Sequence, residues 1–289
     1  MDWLFDGITD WIKQLFIDAI MSSFESMFSE VKTQVADIAV QVGSTPEGWN
    51  SGVFGMVRTL SETVVLPIAG IILTFVLCHE LIQLIIEKNN LQDFDTFNIY
   101  KWIFKSFVAI MILTNTLNIV MAVFDVGQHV VNQSAGLISG DLTLGDGAMM
   151  DAIRANLEAM GIGELLGLFF ETQIARLCML IMSIVIMIIV WGRMIEIYLT
   201  VSIAPIPLAT MANHEHGQMG NNYLRSLFAL AFQGFLIMIC VAIYAVLIGG
   251  IATSDNMHVT IWTTAGYTAL LCFILLKTGG IAKSVLNAH

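Results

Sequence analysis

The sequence predicts an all-α, polytopic bundle of about five transmembrane helices. An amphipathic N-terminal helix and one Pro-broken segment, re-entrant or interfacial, complete the expected fold. Three observations carry this. Charged residues make up 12% of the 289-residue chain, about half the ~25% of an ordinary soluble protein. Hydrophobic residues make up 57% and the mean hydropathy is +0.80, so polar cover for a soluble surface is lacking. The apolar residues also gather into five runs, each near the ~20 residues that cross a hydrocarbon core of about 30 Å. Together these exclude a disulfide scaffold, a disordered tail and an ordinary soluble enzyme.

Residues 2–42 read as the amphipathic helix. Leu4, Ile8, Ile12, Leu15, Met27, Val31, Val35, Ile38 and Val42 recur at helical spacing, with Ile20 and Phe24 between them. Asp2, Asp6, Asp10, Lys13 and Asp18 line the other side. Interfacial helices that bind anionic lipid are usually basic. This acidic one is expected to pack on protein or on a weakly charged leaflet. It lacks a basic n-region and a clean apolar core, so no cleavable signal peptide is expected. Gly43–Gly55 is rich in breakers and reads as a loop.

The five runs follow: Val64–Ile86, Trp102–Phe124, Thr172–Trp191, Leu227–Ile251 and Val259–Leu276. Within the long segment 125–171, residues 148–170 look helical, with Asp146 a plausible cap. A sixth apolar run, Ile197–Ala212, contains Pro205 and Pro207. Two prolines remove two backbone donors and disfavour helix before each ring.

Charge placement sets the expected topology. With the N-terminus outside and five spans, Lys88, Lys101, Lys105, Arg193, Arg225, Lys277 and Lys283 lie inside, in short segments beside the spans. Lys13, Lys32, Arg58, Arg154 and Arg176 are spread over two longer outside segments. The positive-inside rule favours this arrangement. A sixth crossing at 197–212 would move Arg225, Lys277 and Lys283 outside, so that segment is expected to dip in at the cytoplasmic face without crossing. The expected organisation is an extracytoplasmic helix and loop at 1–55, then a transmembrane domain at 56–289 with an outer loop at 125–171. That loop carries Asp125, Asp141, Asp146, Asp151, Glu158, Glu164 and Glu171. The C-terminus is expected inside.

Sites for bond chemistry are not expected. The net charge of −11 makes the whole chain a poor static binder of nucleic acid. Cys78, Cys178, Cys240 and Cys272 each lie in an apolar run and read as small buried residues. GxSxG, HExxH and phosphate-loop motifs are missing. His214 and His216 read as a solvated loop rather than a metal site. No cofactor and no metal are expected, and the chain reads as a non-enzyme.

Intramembrane polar residues are more informative, because charge at membrane depth is costly unless paired or wet. Glu80 lies near the inner end of the first span. Arg193 and Glu196, three apart, share a helix face. They read as a local pair beside Trp191 and Tyr198 as belt aromatics, or as pore-lining groups. Asn115, Asn118 and Gln233 read as interhelical hydrogen-bonding residues, or as groups facing a wet lumen.

The stretch Arg193–Phe235, RMIEIYLTVSIAPIPLATMANHEHGQMGNNYLRSLFALAFQGF, resembles the TrbL-like family of polytopic components of conjugative type IV secretion systems. It looks closest to the branch in mobile elements of Gram-positive bacteria. The features that carry the resemblance are Arg193-x-x-Glu196, the Ala204-Pro205-Ile206-Pro207 break, a polar loop, and Tyr223-Leu224-Arg225 leading to Gln233-Gly234. It is looser over 64–282, and the N-terminal helix matches only in general character. The resemblance implies a homo-oligomeric channel subunit in the bacterial cytoplasmic membrane. It would work with the system's ATPases and stalk or wall proteins, and help to pass relaxase-linked single-stranded DNA, or protein. On that reading the double-proline segment is a gate or wedge at the cytoplasmic mouth. Lys101, Lys105, Arg193 and Arg225 would form basic rings there once multiplied by symmetry. Competing classes are a small-molecule transporter or ion channel subunit, a holin-like pore former, and a scaffold around another protein's channel.

Overall fold

The structure is a computed structural model that describes residues 2–86, 96–138, 145, 147–213, 217–251 and 256–288. Lys88, Asp141, Asp146, His214 and His216, all named above, lie outside the described residues. The helices in chain order are α1 (Asp2–Val42), α2 (Pro46–Trp49), α3 (Ser51–Leu60), α4 (Leu66–Ile86), α5 (Thr96–Thr114), α6 (Thr116–Ile138), α7 (Gly147–Ala159), α8 (Ile162–Ser202), α9 (Pro205–Thr210), α10 (Gly217–Ile251) and α11 (Met257–Val285). No strand occurs among the described residues. Five helical stretches are long and apolar enough to cross a membrane: Ser51–Ile86, Phe97–Thr114, Ile162–Ser202, Gly217–Ile251 and Met257–Val285. The chain is therefore an all-α, multi-pass membrane protein.

The chain divides into two units. The first comprises Met1–Val42, Asn132–Val190 and Ile237–Lys277. Here α1 lies along both α7 and α8. Lys13 Nζ donates to Glu158 O at 2.6 Å and Arg154 faces Asp18 at 3.6 Å, so α1 and α7 run antiparallel. Gln173 donates to Ser23 Oγ at 3.0 Å and Ser183 Oγ to Glu30 at 2.7 Å, so α1 and α8 run parallel. The acidic N-terminal helix thus packs on protein. Its buried stripe is Ile17, Ile20, Phe24, Met27, Val31, Val35, Ile38 and Val42, whereas Ile8 and Leu15 are exposed. The difference is one of phase. Counting back from Met27 in steps of three and four reaches Phe24, Ile20 and Ile17, not Leu15.

The second unit comprises Gly43–Val131, Trp191–Leu236 and Thr278–His289. Its main core joins Phe54 and Val57 of α3, Val120 and Phe124 of α6, Met194, Ile197, Tyr198 and Val201 of α8, and Leu227 and Leu230 of α10. The expected loop 43–55 is largely helical. Thr45 and Asn50 cap two short helices by accepting from Gly48 N and Val53 N. Between α3 and α4 the helix widens into one π-turn, Ser61–Val65, where Leu66 N–H bonds back to Ser61 O. Pro67 explains this position. Its ring removes a donor and crowds the carbonyl of Thr63, and a π-turn gives that carbonyl room.

Two further boundaries differ from expectation. The run 102–124 is broken at Asn115, and the candidate span ends at Thr114. Thr114 Oγ1, Asn115 Nδ2 and Thr116 Oγ1 all donate to carbonyls one turn back, at Ile110, Met111 and Leu113. Three such side-chain bonds in succession compete with the backbone ladder. The helix expected over 148–170 divides at Gly161, where Glu164 accepts the Gly161 N–H at 3.1 Å and starts α8.

Candidate functional site at the proline break

The long α8 runs to Ser202 and stops one residue pair short of Pro205. Pro205 and Pro207 permit only the six-residue α9 before the chain turns towards α10. Six residues rise about 9 Å, too little to cross a membrane on their own. α9 is not a surface segment. Pro205, Pro207, Leu208, Ala209 and Thr210 are all buried. Ala209 and Ala212 pack among Ala69, Leu73 and Val76 of α4 and Leu113 of α5. The carbonyls freed by the prolines, Val201 O and Ile203 O, accept instead from Ala204 N at 3.3 Å and Ile206 N at 3.1 Å, and Thr210 Oγ1 donates to Pro207 O at 2.7 Å. Irregular backbone is tolerated at membrane depth where protein buries it or water reaches it.

The start of α10 comes very close to this break. A Cβ on Gly220 would sit 2.6 Å from Pro207 O and 2.0 Å from Met211 Cγ. Only glycine allows that approach. Tyr223, three residues on, donates to Thr200 O of α8 at 3.1 Å. Tyr198 is buried rather than a belt aromatic, and its hydroxyl donates to Pro46 O at 2.7 Å. Trp49 packs edge-on to Trp191 and against Tyr198.

Beside the break lies a cavity of about 480 Å³ lined by Lys105, Asn213, Gln218, Asn221, Asn222 and Arg225, with Met211 and Gly217. Among the described residues, two cations and four amides line it, and no carboxylate does. Gln218, Asn221, Asn222 and Arg225 fall at i, i+3, i+4 and i+7, one face of α10. That spacing was available in the sequence and would have marked the four as a group. Lys105 and Arg225, expected at the mouth, are brought together here from α5 and α10. Lys105 is also ion-paired with Glu80 of α4, and Trp102 Nε1 ties the same two helices by donating to Leu77 O at 3.2 Å. Lys101 instead lies over the Phe97 ring, 4.7 Å from its centroid.

The other predicted residues go elsewhere. Arg193 and Glu196 form no direct ion pair within 4 Å, although the two charges still attract at longer range. It is buried, at 6% exposure, and its Nη2 donates to Leu230 O at 3.3 Å. Glu196 is bound by Lys283 of α11 at 3.0 Å. Three-residue spacing puts Arg193 and Glu196 near one face, but their separate partners on α10 and α11 decide where each points. Gln233 reaches α11 and donates to Thr278 Oγ1 at 3.4 Å. Asn115 bonds its own helix. Asn118 lines a smaller cavity of about 200 Å³ with Arg58, Glu62 and Pro205. Among the described residues, no cluster of His, Cys, Asp and Glu could hold a metal ion.

A family profile described as TrbL/VirB6 plasmid conjugal transfer like protein matches residues 31–205. That is more than half of the chain. The chain belongs to this family. No curated protein and no solved structure matches it. The match takes in Arg193, Glu196 and Pro205 and begins inside α1, so the likeness reaches further into the N-terminal helix than the sequence motifs alone imply. As a TrbL/VirB6-like protein the chain is a multi-pass membrane component of conjugal transfer by type IV secretion. Membership also implies that it works with other components of that apparatus.

Proposed function

We propose that this TrbL/VirB6-like protein is a subunit of the conjugative type IV secretion channel itself. It assembles as a homo-oligomer in the bacterial cytoplasmic membrane, with its N-terminus outside and its C-terminus inside, and helps DNA or protein substrate across. Its work is non-covalent. It contacts the system's ATPases and stalk or wall proteins, and transiently the relaxase-linked single strand. Arg193, Glu196, Pro205 and Pro207 shape the break, and Lys105 and Arg225 face the substrate.

The observation that carries this reading is the cavity at the proline break. Among the described residues its lining holds two cations, four amides and no carboxylate, which make a local basic site in a chain of net charge −11. Repeated by rotational symmetry, such a site becomes a ring of cations, which attracts an anionic strand whatever the net charge of the subunit. Met211 and Asn213, which directly follow the buried α9, bring the proline break to the cavity's edge. The test is charge reversal of both cations, Lys105→Glu with Arg225→Glu. Conjugative transfer is expected to fall at least tenfold while the purified variant keeps its oligomeric size. Transfer at the wild-type rate from an intact assembly refutes the mouth.

A further inference from the structure

We infer that Glu80 is the release residue of this cavity: it holds Lys105 by an ion pair, so a phosphodiester of the passing strand binds there weakly enough to leave. The inference rests on the mouth reading above and specifies how that mouth is regulated.

Four observations lead to it. Lys105 lines the cavity and at the same time is bound to Glu80 from α4. Glu80 is only 20% exposed at its side chain, against 42% for Lys105, so the carboxylate is the deeper partner. Its second oxygen, Oε2, is buried with no hydrogen-bond partner among the described residues. Glu80 therefore has little but Lys105 to compensate its charge, and the pair does not part easily. Arg225, in contrast, is exposed on the cavity wall and has no carboxylate within 4 Å among the described residues.

The consequence is a graded site. An ammonium has three donor hydrogens. Glu80 uses one, and the remainder can meet a phosphate in the cavity. That phosphate is drawn by Lys105 and Arg225 but repelled by Glu80 across a single ammonium group. A conduit needs this compromise, because a site that binds too well stalls what it carries. A lone pair of cations on a polar wall would hold each phosphate in turn, whereas a captive lysine passes it on.

The test uses the full chain in nanodiscs of zwitterionic lipid, with a fluorescein-labelled oligodeoxythymidylate as the probe and anisotropy as the readout. Glu80→Gln is expected to tighten binding about tenfold, while conjugative transfer falls. Lys105→Gln is expected to weaken binding by more than Arg225→Gln does, because it removes a cation and also unmasks the acid. This second comparison keeps the test open if Glu80→Gln folds poorly. Equal effects of the two cation variants, or tight binding by Glu80→Gln with unchanged transfer, overturn the release role. If Arg225→Gln weakens binding but Glu80→Gln leaves it unaltered, the release role fails and the mouth stands. If neither cation variant affects binding, the mouth fails too. Displacement of the probe by anionic lipid in the disc assigns the phosphate to a lipid headgroup and also overturns the inference.

Discussion

The close approach of α10 to α9 at Gly220 gives the sharpest structural prediction. Replacing Gly220 with Ala adds one methyl group, 2.6 Å from Pro207 O and 2.0 Å from Met211 Cγ. The Met211 side chain has three rotatable bonds and can swing aside. Pro207 O cannot, because α9 is buried on α4 and α5 and that carbonyl already accepts the Thr210 hydroxyl. A comfortable non-bonded separation is about 3.5 Å, so the backbones must part by roughly 0.9 Å. Overpacking of this kind costs about 1–3 kcal/mol, and the better helix propensity of Ala offsets up to about 1 kcal/mol of it. Against a Gly→Ala control with the same propensity gain, the net loss is about 1–3 kcal/mol, which lowers the thermal midpoint by roughly 2–6 °C. The assay is a tryptophan-fluorescence melt of detergent-solubilised protein, with Gly266→Ala as the control, since nothing lies within 4 Å of a Cβ there. A Gly220→Ala melt that overlays the control refutes the argument, because it means that α9 and α10 do not meet as closely as the break requires.

The remaining predictions concern the same unit and the topology. A Cβ on Gly234 would lie 2.8 Å from Arg193 Nη2 and 3.2 Å from Val131 Cγ2, so Gly234→Ala should destabilise the fold by about 1–3 kcal/mol. That loss should shrink by at least half in an Arg193→Ala background; additive losses in a double-mutant melt contradict the contact. Tyr198→Phe removes the 2.7 Å bond to Pro46 O and should cost about 1 kcal/mol in the same melt; an unchanged midpoint argues against that bond. A C-terminal tag should react with an impermeant reagent only after cells are permeabilised, and an N-terminal tag in intact cells. The reverse pattern overturns the orientation.

Much of the fold was legible because lipid solvation imposes a simple length rule. The apolar runs at 64–86, 172–191, 227–251 and 259–276 all fall within candidate spans, and Pro205 and Pro207 mark the break by the chemistry of the imide ring alone. Phase and partnership were harder. A stripe drawn through Ile8 and Leu15 drifts off the face that packs, because steps of three and four accumulate error along a 41-residue helix. Arg193 and Glu196 looked like partners because one-dimensional spacing sees only a single helix. Lys283 lies 87 residues from Glu196, and no local pattern announces it. The cavity was half legible. Gln218, Asn221, Asn222 and Arg225 advertise one polar face at the start of an apolar helix, but Lys105 joins them only through the tertiary fold.

The two units differ in how they treat buried polar groups, and this bears on which of them carries the work. In the first unit Ser23 meets Gln173, Glu30 meets Ser183, and Tyr244 meets Thr268 at 2.8 Å. Gln34 differs, with both amide atoms buried and unmatched among the described residues. In the second unit Ser61 Oγ, His79 Nδ1, Glu80 Oε2, Arg193 Nε and Gln233 Oε1 are all buried without a hydrogen-bond partner among the described residues. Arg193 is the costliest, since a buried guanidinium is destabilising unless it is paired or wet. Lipid cannot serve these atoms, because hydrocarbon offers neither donors nor acceptors. Buried polar atoms of this kind are ordinarily matched by water or by further protein groups. The unit with the proline break, the polar cavity and the unmet hydrogen bonds is therefore where the proposed passage of a hydrated substrate is to be tested.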